Sequence, residues 1–500
     1  MSVAKKPNII FILTDDQGCW SLGCLGNKEI RTPHIDKLAK EGALLSNFFC
    51  VSPVCSPARA SLLTGRIPSQ HGVHDWIRKG NGDPARRDAP INYLEGISAY
   101  TELLAQNGYT CGISGKWHLG ASSLPQKGFS HWFVTSPSNG SYHNSDFYRG
   151  SELVKTDGYV TEVITDDSLS FIETCSKEQS DKPFYLTVSY TAPHSPHVDQ
   201  HPKEYVDYYY EHCTFEDVRQ DPRSPWMSQS PIDIQYSLSF SSKEREYLTL
   251  RDLLSGYYAA VQAVDDSVGR IVSKLEELGI RDDTLIVYSS DNGFNCGQHG
   301  IWGKGNCTSP LNLFDTSVKV PCIFNLPGRI KQGVSSDALL SGYDFMPTLL
   351  DLAGIENPEQ AELPGKSFLA TLEEGEEREY HENITVFDEY GPARMIRTKD
   401  FKYIHRYPYG PHELYDLADD PEERFNLINE NRYFKYGPKF IEEKSAEMKA
   451  MMDAWFAEYA DPDKDGRSEP VYGRGQLMKV GAASEGKLTF YPEEQVGYER

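Results

Sequence analysis

The chain has 500 residues, of which 73 are acidic and 50 are Lys or Arg, for a formal net charge of −23. Apolar residues at 39% and aromatics at 12% supply a sizeable core, which excludes wholesale disorder. The acidic balance excludes a general nucleic-acid binder and disfavours docking on an anionic membrane, because both depend on excess Lys and Arg.

At the N-terminus a basic stretch precedes an apolar run, Ile9 to Leu13, that two Asp residues cut short. A secretory leader needs an apolar region of roughly 7–15 residues, and a membrane span about 20. The chain therefore reads as cytoplasmic, with no nucleic-acid or membrane partner. The ten cysteines are scattered and form no C-x-x-C pair. This argues against a zinc ribbon, a redox motif or a small disulfide scaffold, and for reduced thiols buried as small apolar groups.

In chain order, the apolar run Asn8–Thr14 predicts a strand. Helices follow at Ile35–Lys40, stopped by Gly42, and Ala58–Leu63, stopped by Gly65. Tyr109–Ser114 and Phe184–Tyr190 predict further strands. His201–Ser241, rich in Tyr, Pro, Asp and Ser, reads as a long surface insertion. From about Ser242 to Leu278 a helix is predicted by Leu250, Leu254, Tyr257, Val261, Val264, Val268, Ile271 and Leu275, with Gly279 as its stop. Leu285–Ser289 predicts the next strand. An acidic run, Glu373–Tyr380, opens a different texture: β-like pieces at Thr385–Phe387, Met395–Arg397 and Phe401–Tyr407, then a helix over Lys439–Tyr459. The tail from about Asp461 has no assignable structure.

Continuous apolar strands alternating with helices imply an α/β fold: a large, mostly parallel (mixed) sheet sandwiched by helices. A smaller C-terminal α+β domain with a short antiparallel sheet follows. The expected domains are residues 1–375, catalytic, and 376–500, C-terminal domain and tail.

Ligands of open α/β sheets bind beyond the carboxyl ends of the strands. Asp15 and Asp16 follow the first predicted strand, Lys116 and His118 the second, His194 the third, and Asp291 and Asn292 the fourth. One Asp after a strand is usually a turn or cap residue; four such strand ends together favour a site. Cys55 opens the string Cys-Ser-Pro-Ala-Arg-Ala-Ser-Leu-Leu-Thr-Gly. Pro57 suits a first helical position and Gly65 a stop, so Cys55 is expected at a helix N-terminus, where free N–H groups favour anions, with Arg59 one turn further in.

This string resembles the signature of the type I, formylglycine-dependent sulfatases of the alkaline-phosphatase-like superfamily. The resemblance extends through Asp15-Asp16-Gln17, Thr32-Pro33, Gly115-Lys116-Trp117-His118, Ala192-Pro193-His194, Asp291-Asn292-Gly293, His299 to Gly305, and Glu413-Leu414-Tyr415-Asp416-Leu417. It implies an alkaline-phosphatase-like fold and oxidation of Cys55 to formylglycine by a sulfatase-maturating enzyme. The neighbouring Cys50 has Ser52 and Val54 where Cys55 has Pro57 and Arg59, so only Cys55 is expected to be converted. One oxygen of the hydrated aldehyde would attack sulfur and expel the alcohol, and the second hydroxyl would then lose a proton and eject sulfate, regenerating the aldehyde. Asp15, Asp16, residue 55, Asp291 and Asn292 would hold a divalent cation. The oxygen ligands of Asp15, Asp16, Asp291 and Asn292 point to Ca²⁺ or Mg²⁺ rather than zinc, and the resemblance favours Ca²⁺. By the same resemblance Arg59 and Lys116 orient the nucleophile, His118 takes the proton that triggers sulfate release, and His194 and Lys304 contact sulfate and protonate the leaving oxygen. His71, His74 and His299 read as loop or core residues. Asp315 and Lys319 depart from the family pattern, with an expected effect on local salt bridging.

Candidate pocket residues are His74, Trp76, Arg78 and Tyr209. The expected substrates are small sulfated sugars, glycosaminoglycan fragments or aryl sulfates. The alternatives are an aryl or steroid sulfatase specifically, or a phosphonate or phosphodiester hydrolase of the same superfamily. A non-catalytic binder of sulfated ligands is a third class, and no expected site residue is missing to support it.

Overall fold

A computed structural model describes residues 6–137, 140–179, 181–229, 248–388, 393–429, 435–469, 471 and 473–491. Ten strands form the main sheet: β1 (Asn8–Asp15), β2 (Ala43–Leu45), β3 (Thr110–Gly115), β4 (His131–Thr135), β5 (Asp146–Arg149), β6 (Glu152–Lys155), β7 (Phe184–Pro193), β8 (Thr284–Ser290), β9 (Cys322–Asn325) and β10 (Val334–Ser336). They lie in the order β10-β2-β9-β8-β1-β7-β3-β4-β5-β6. The central strands β8, β1, β7, β3 and β4 run parallel, and antiparallel pairs flank them.

β1 shows why the sequence takes this form. Side chains alternate across a strand, so Ile9, Phe11 and Leu13 enter one apolar cluster and Ile10 and Ile12 the other. Both faces are covered, which requires an unbroken apolar run. Helices α1 (Pro33–Lys40), α3 (Val160–Glu178) and α4 (Leu250–Glu277) cover one face, and α2 (Cys55–Thr64) and α5 (Phe345–Ala353) the other. Gly65 (φ 65°) ends α2 in the left-handed conformation that glycine adopts without strain. A capping box starts α4: Thr249 and Asp252 exchange side-chain and backbone hydrogen bonds.

His201–Ser241 departs from the expected surface insertion as far as it is described. Lys203–His212 is a helix lying on α4. Tyr205 donates to Asp266 (2.6 Å), and Tyr209 packs edge-on against Tyr258. Tyr205 and Tyr209 are one turn apart and share a face, so the Tyr-rich string is a helical stripe seen without its period. Residues 230–247, including the start of the helix expected from Ser242, lie outside the described residues.

The second sheet is a meander of β11 (Ile384–Asp388), β12 (Ala393–Arg397), β13 (Phe401–Arg406) and β14 (Glu413–Asp416). Helix α6 (Pro438–Tyr459) buries Met448, Met452 and Phe456 against it. The same cluster contains Val51, Ile67 and Tyr343 and so seats this sheet on the chain flanking α2. The tail is also assigned: Val471, Val480 and Phe490 pack on Val54, immediately before Cys55. Eight of the ten cysteines are buried, and all ten are free thiols. Among the described residues no helix is long and apolar enough to cross a membrane.

Candidate active site

Four adjacent parallel strands, β8, β1, β7 and β3, deliver their carboxyl ends to one edge of the sheet. Asp291 and Asn292 therefore stand beside Asp15 and Asp16, with His194 and Lys116 next in line. Helix α2 points its first residue, Cys55, into this edge and carries Arg59 one turn later. Lys304 arrives from the loop after the short pair Asn295–Cys296 and Trp302–Gly303.

The contacts are dense. The Cys55 thiol donates to Asp15 Oδ1 (3.2 Å) and receives a hydrogen bond from Lys304 Nζ (2.9 Å). Lys304 also donates to Asp16 Oδ1 (2.6 Å), which accepts from Asn292 Nδ2 as well (2.8 Å). Arg59 Nε donates to Asp291 Oδ2 (2.8 Å), and its Nη1 donates to Ser189 Oγ (2.8 Å) and the Lys116 carbonyl (3.2 Å). The Lys116 ammonium pairs with Asp15. His194 Nε2 lies 3.6 Å from Asp16 Oδ2. Its Nδ1 lies 2.7 Å from the Ser195 carbonyl, which can only accept, so Nδ1 carries the proton.

Asp15, Asp16, Asp291 and Asn292 are wholly buried, and Cys55 is 2% exposed. The His194 side chain is 24% exposed, which makes its side the open one. Burial pushes Asp15 up, but Lys116 and His194, with Arg59 and Lys304, outweigh it and hold the carboxyl well below the usual range. Asp291 is pushed up to about 7 by burial and by the Asp15 charge. Burial, then Asp15, pushes the Cys55 thiol up, so it stays protonated and is no thiolate nucleophile. His118 is held well below the usual imidazole range by burial and by Lys116, and so stays neutral.

A divalent cation fits this donor set. Ligand atoms of Asp15, Asp16, Cys55 and His194 lie within 4.8 Å of one another. Asp16 Oδ2 and Asn292 Oδ1 are buried with no hydrogen-bond partner among the described residues. Three buried carboxylates and an amide oxygen suit a hard cation. A cation would also relieve the repulsion that raises Asp291.

Other anticipated residues lie apart from these contacts. Tyr209 requires a correction: it is fully buried, and its hydroxyl accepts the Arg31 N–H (3.1 Å), so it is a core residue and not a pocket wall. His74 is buried, and its N–H donates to Gln476 Oε1 (2.9 Å). Arg78 stacks on Tyr491 of the tail, 3.9 Å from the ring centroid, with Trp76 5.7 Å away. His71 bonds Ser61 (3.0 Å) and His299 stacks on Phe314. Asp315 bridges Lys402 (3.0 Å) and Arg397 (3.5 Å). Sequence reasoning missed Ser189, whose hydroxyl accepts from Arg59 and donates to the Lys116 carbonyl (2.7 Å). A lone Ser near a strand end carries no pattern that would have singled it out.

Comparison with known proteins places the chain in a family. A family model described as "Sulfatase" matches residues 7–355, and one described as "N-sulphoglucosamine sulphohydrolase, C-terminal" matches residues 297–450. An N-acetylglucosamine-6-O-sulfatase of Bacteroides thetaiotaomicron is 30% identical over 95% of this chain and 91% of its own. An N-acetylgalactosamine-6-sulfatase of Mus musculus is 31% identical over 74% of this chain and 66% of its own. A solved structure in complex with its substrate, D-glucosamine-2-N,6-O-disulfate, superposes with a TM-score of 0.73 at 28% identity, covering 92% of this chain and 99% of that one. With the family model matched over most of the chain and a 30% identical relative matched over nearly its full length, the chain belongs to the sulfatase family and is a sulfuric ester hydrolase.

Proposed function

We propose that this sulfatase removes the sulfate ester of a small sulfated amino sugar, with a 6-O-sulfated glucosamine unit as the first candidate. Support comes from the relative that acts on N-acetylglucosamine 6-O-sulfate and from the structural neighbour bound to a 2-N,6-O-disulfated glucosamine. The observation that carries the chemistry is Cys55 at the first position of α2, between Asp15 and Lys304.

Conversion of Cys55 to formylglycine by a maturating enzyme supplies an oxygen nucleophile that the protonated thiol cannot. Asp15, Asp16, residue 55, Asp291 and Asn292 would hold a divalent cation, Ca²⁺ before Mg²⁺, which would supply positive charge against the sulfate. Arg59 and Lys116 brace the nucleophile side, since both bond Asp15 or Asp291 and converge on Ser189 or its neighbours. Lys304 offers a fixed ammonium for the sulfate. His194, the group open to solvent, protonates the leaving oxygen and is recharged by water. His118, neutral and with Nδ1 unpartnered among the described residues, takes the proton that lets sulfate depart. We place the catalytic domain at residues 1–375, with residues 376–500 as the C-terminal domain, and the enzyme in the cytoplasm, where ten free thiols stay reduced.

The test is a desulfation screen of defined 6-O-, 4-O-, 3-O- and N-sulfated monosaccharides and disaccharides beside aryl sulfate, steroid sulfate and aryl phosphonate. Preference for the 6-O-sulfated amino sugars is the expected result. A higher kcat/KM on the phosphonate or the steroid ester would overturn the reading.

A further inference from the structure

Ser56 follows the nucleophile and is wholly buried. Its hydroxyl donates to the His118 carbonyl (2.8 Å) and accepts the Ile77 N–H (3.0 Å). An amide N–H can only donate and a carbonyl can only accept, so the direction of both bonds is settled. His118 needs an external hold: its φ is 57°, in the left-handed region that residues with a Cβ rarely occupy.

Ile77, in turn, belongs to a seam with the C-terminal tail. Ile77 and Gln476 pair in a parallel bridge. Gln476 N donates to the Trp76 carbonyl (2.8 Å), and Arg78 N donates to the Gln476 carbonyl (2.9 Å). The Gln476 carboxamide is fully buried. Its Oε1 accepts from the His74 N–H (2.9 Å) and the Asp75 N–H (3.4 Å), and its Nε2 donates to the carbonyls of Gly72 (2.9 Å) and Met478 (2.9 Å). Asp75 closes the seam by accepting the Gly475 N–H (2.8 Å). Gly475 itself (φ 110°) must be glycine, because a Cβ there would come within 2.7 Å of Arg78 Cβ.

We propose that the tail is a positioning element for His118: Gln476 sets the register of residues 72–78, Ile77 orients Ser56, and Ser56 holds the His118 backbone beside residue 55. The inference rests on the role given to His118 above. Ser56 and Gln476 touch no reacting atom and act through another residue. A tail more than four hundred residues downstream in the chain thereby reaches the nucleophile helix through hydrogen bonds of the Gln476, Asp75 and Ser56 side chains and the backbone of residues 72–78.

The experiment compares wild type with Ser56→Ala, Gln476→Leu, His118→Ala and the control Leu488→Ala, an exposed position in the same tail. Steady-state kinetics on an aryl sulfate is paired with amide hydrogen exchange on the substrate-free protein. Ser56→Ala should lower kcat about 5- to 10-fold, the fold-change of one lost hydrogen bond, with KM within about twofold. Exchange should quicken over residues 116–120 in Ser56→Ala, and over both 72–78 and 116–120 in Gln476→Leu. Leu488→Ala should match wild type. Unchanged exchange over 116–120, or a Ser56→Ala kcat within about twofold of wild type, would overturn the proposal. Full activity of His118→Ala would instead remove His118 from the chemistry, while the exchange data still decide whether the tail positions it.

Discussion

Replacing Lys402 with Met should cost stability in a way that grows with pH. Lys402 is fully buried on β13. It pairs with Asp315 (3.0 Å) and with Glu423, whose Oε2 also accepts the Asp315 N–H (2.6 Å). Asp315 keeps a second cation, Arg397, at 3.5 Å, but Lys402 is the cation paired with Glu423 among the described residues. Removing one partner of a buried ion pair costs about 3–5 kcal/mol, mainly because the other charge is left without compensation. The retained Arg397 pair puts the expected loss at the low end, about 3 kcal/mol at pH 8. Burial raises Glu423 to about 7 even with Lys402 present. Its folded-state pKa thus exceeds the unfolded value, so the native state binds more protons, and stability falls as pH rises toward 7. Without Lys402 the gap widens and the fall continues through pH 8. At pH 6 Glu423 is protonated, and the loss should shrink by about 1 kcal/mol or more. Urea unfolding followed by fluorescence and circular dichroism, at pH 6 and pH 8, measures both quantities. A loss under about 1 kcal/mol at pH 8, or an equal loss at both pH values, would refute the uncompensated-charge argument. The perturbation should also reach the site: Ser317, two residues from Asp315, accepts the Gly293 N–H (2.9 Å) next to Asp291 and Asn292.

Cys55→Ala should abolish desulfation while leaving the unfolding midpoint near that of wild type, and mass spectrometry of the peptide holding residue 55 should show formylglycine only in the wild-type chain. Chelation should lower both activity and thermal stability. A cation at about 100 times its Kd contributes about 2.7 kcal/mol, and Asp291→Asn should require more Ca²⁺ to regain it, as read by calorimetric titration. Tyr209→Phe removes one buried hydrogen bond and should cost about 1 kcal/mol in urea with kcat/KM unchanged; a selective rise in KM would restore Tyr209 to the pocket. The net charge of −23 should make long sulfated polymers poor substrates at low salt relative to a disaccharide. Added salt should narrow the ratio by screening; efficient polymer turnover at low salt would show that the global charge does not govern substrate choice.

Much of the site was legible because its residues come directly after strands that declare themselves. Asn8–Thr14, Phe184–Tyr190 and Leu285–Ser289 are mostly apolar and carry no charged residue, and such runs belong to strands buried on both faces. The residues at the carboxyl end of each run are thereby marked as lying at the ligand-binding edge. The helix at Lys203–His212 was not legible, because three consecutive Tyr residues obscure a three- and four-residue period. Ser189 and Ser56 were not legible either. Their importance lies in the groups their hydroxyls meet, Arg59 and Lys116 in one case and Ile77 and His118 in the other. A sequence does not display such contacts between distant segments.

Composition and charge argued against polyanion binding as a general property, and the local motifs singled out the candidate site residues and the sheet that would carry them. Those are properties of short stretches, set by alternation of side chains along a strand and by donors exposed at a helix start. Only the tertiary structure decided that the four strands are neighbours, that positive groups stand against buried carboxylates, and that the tail packs beside the start of the helix headed by Cys55. The physical reason is the same in each case. Desolvation, ion pairing and hydrogen-bond satisfaction depend on distances between residues hundreds of positions apart, and folding sets those distances.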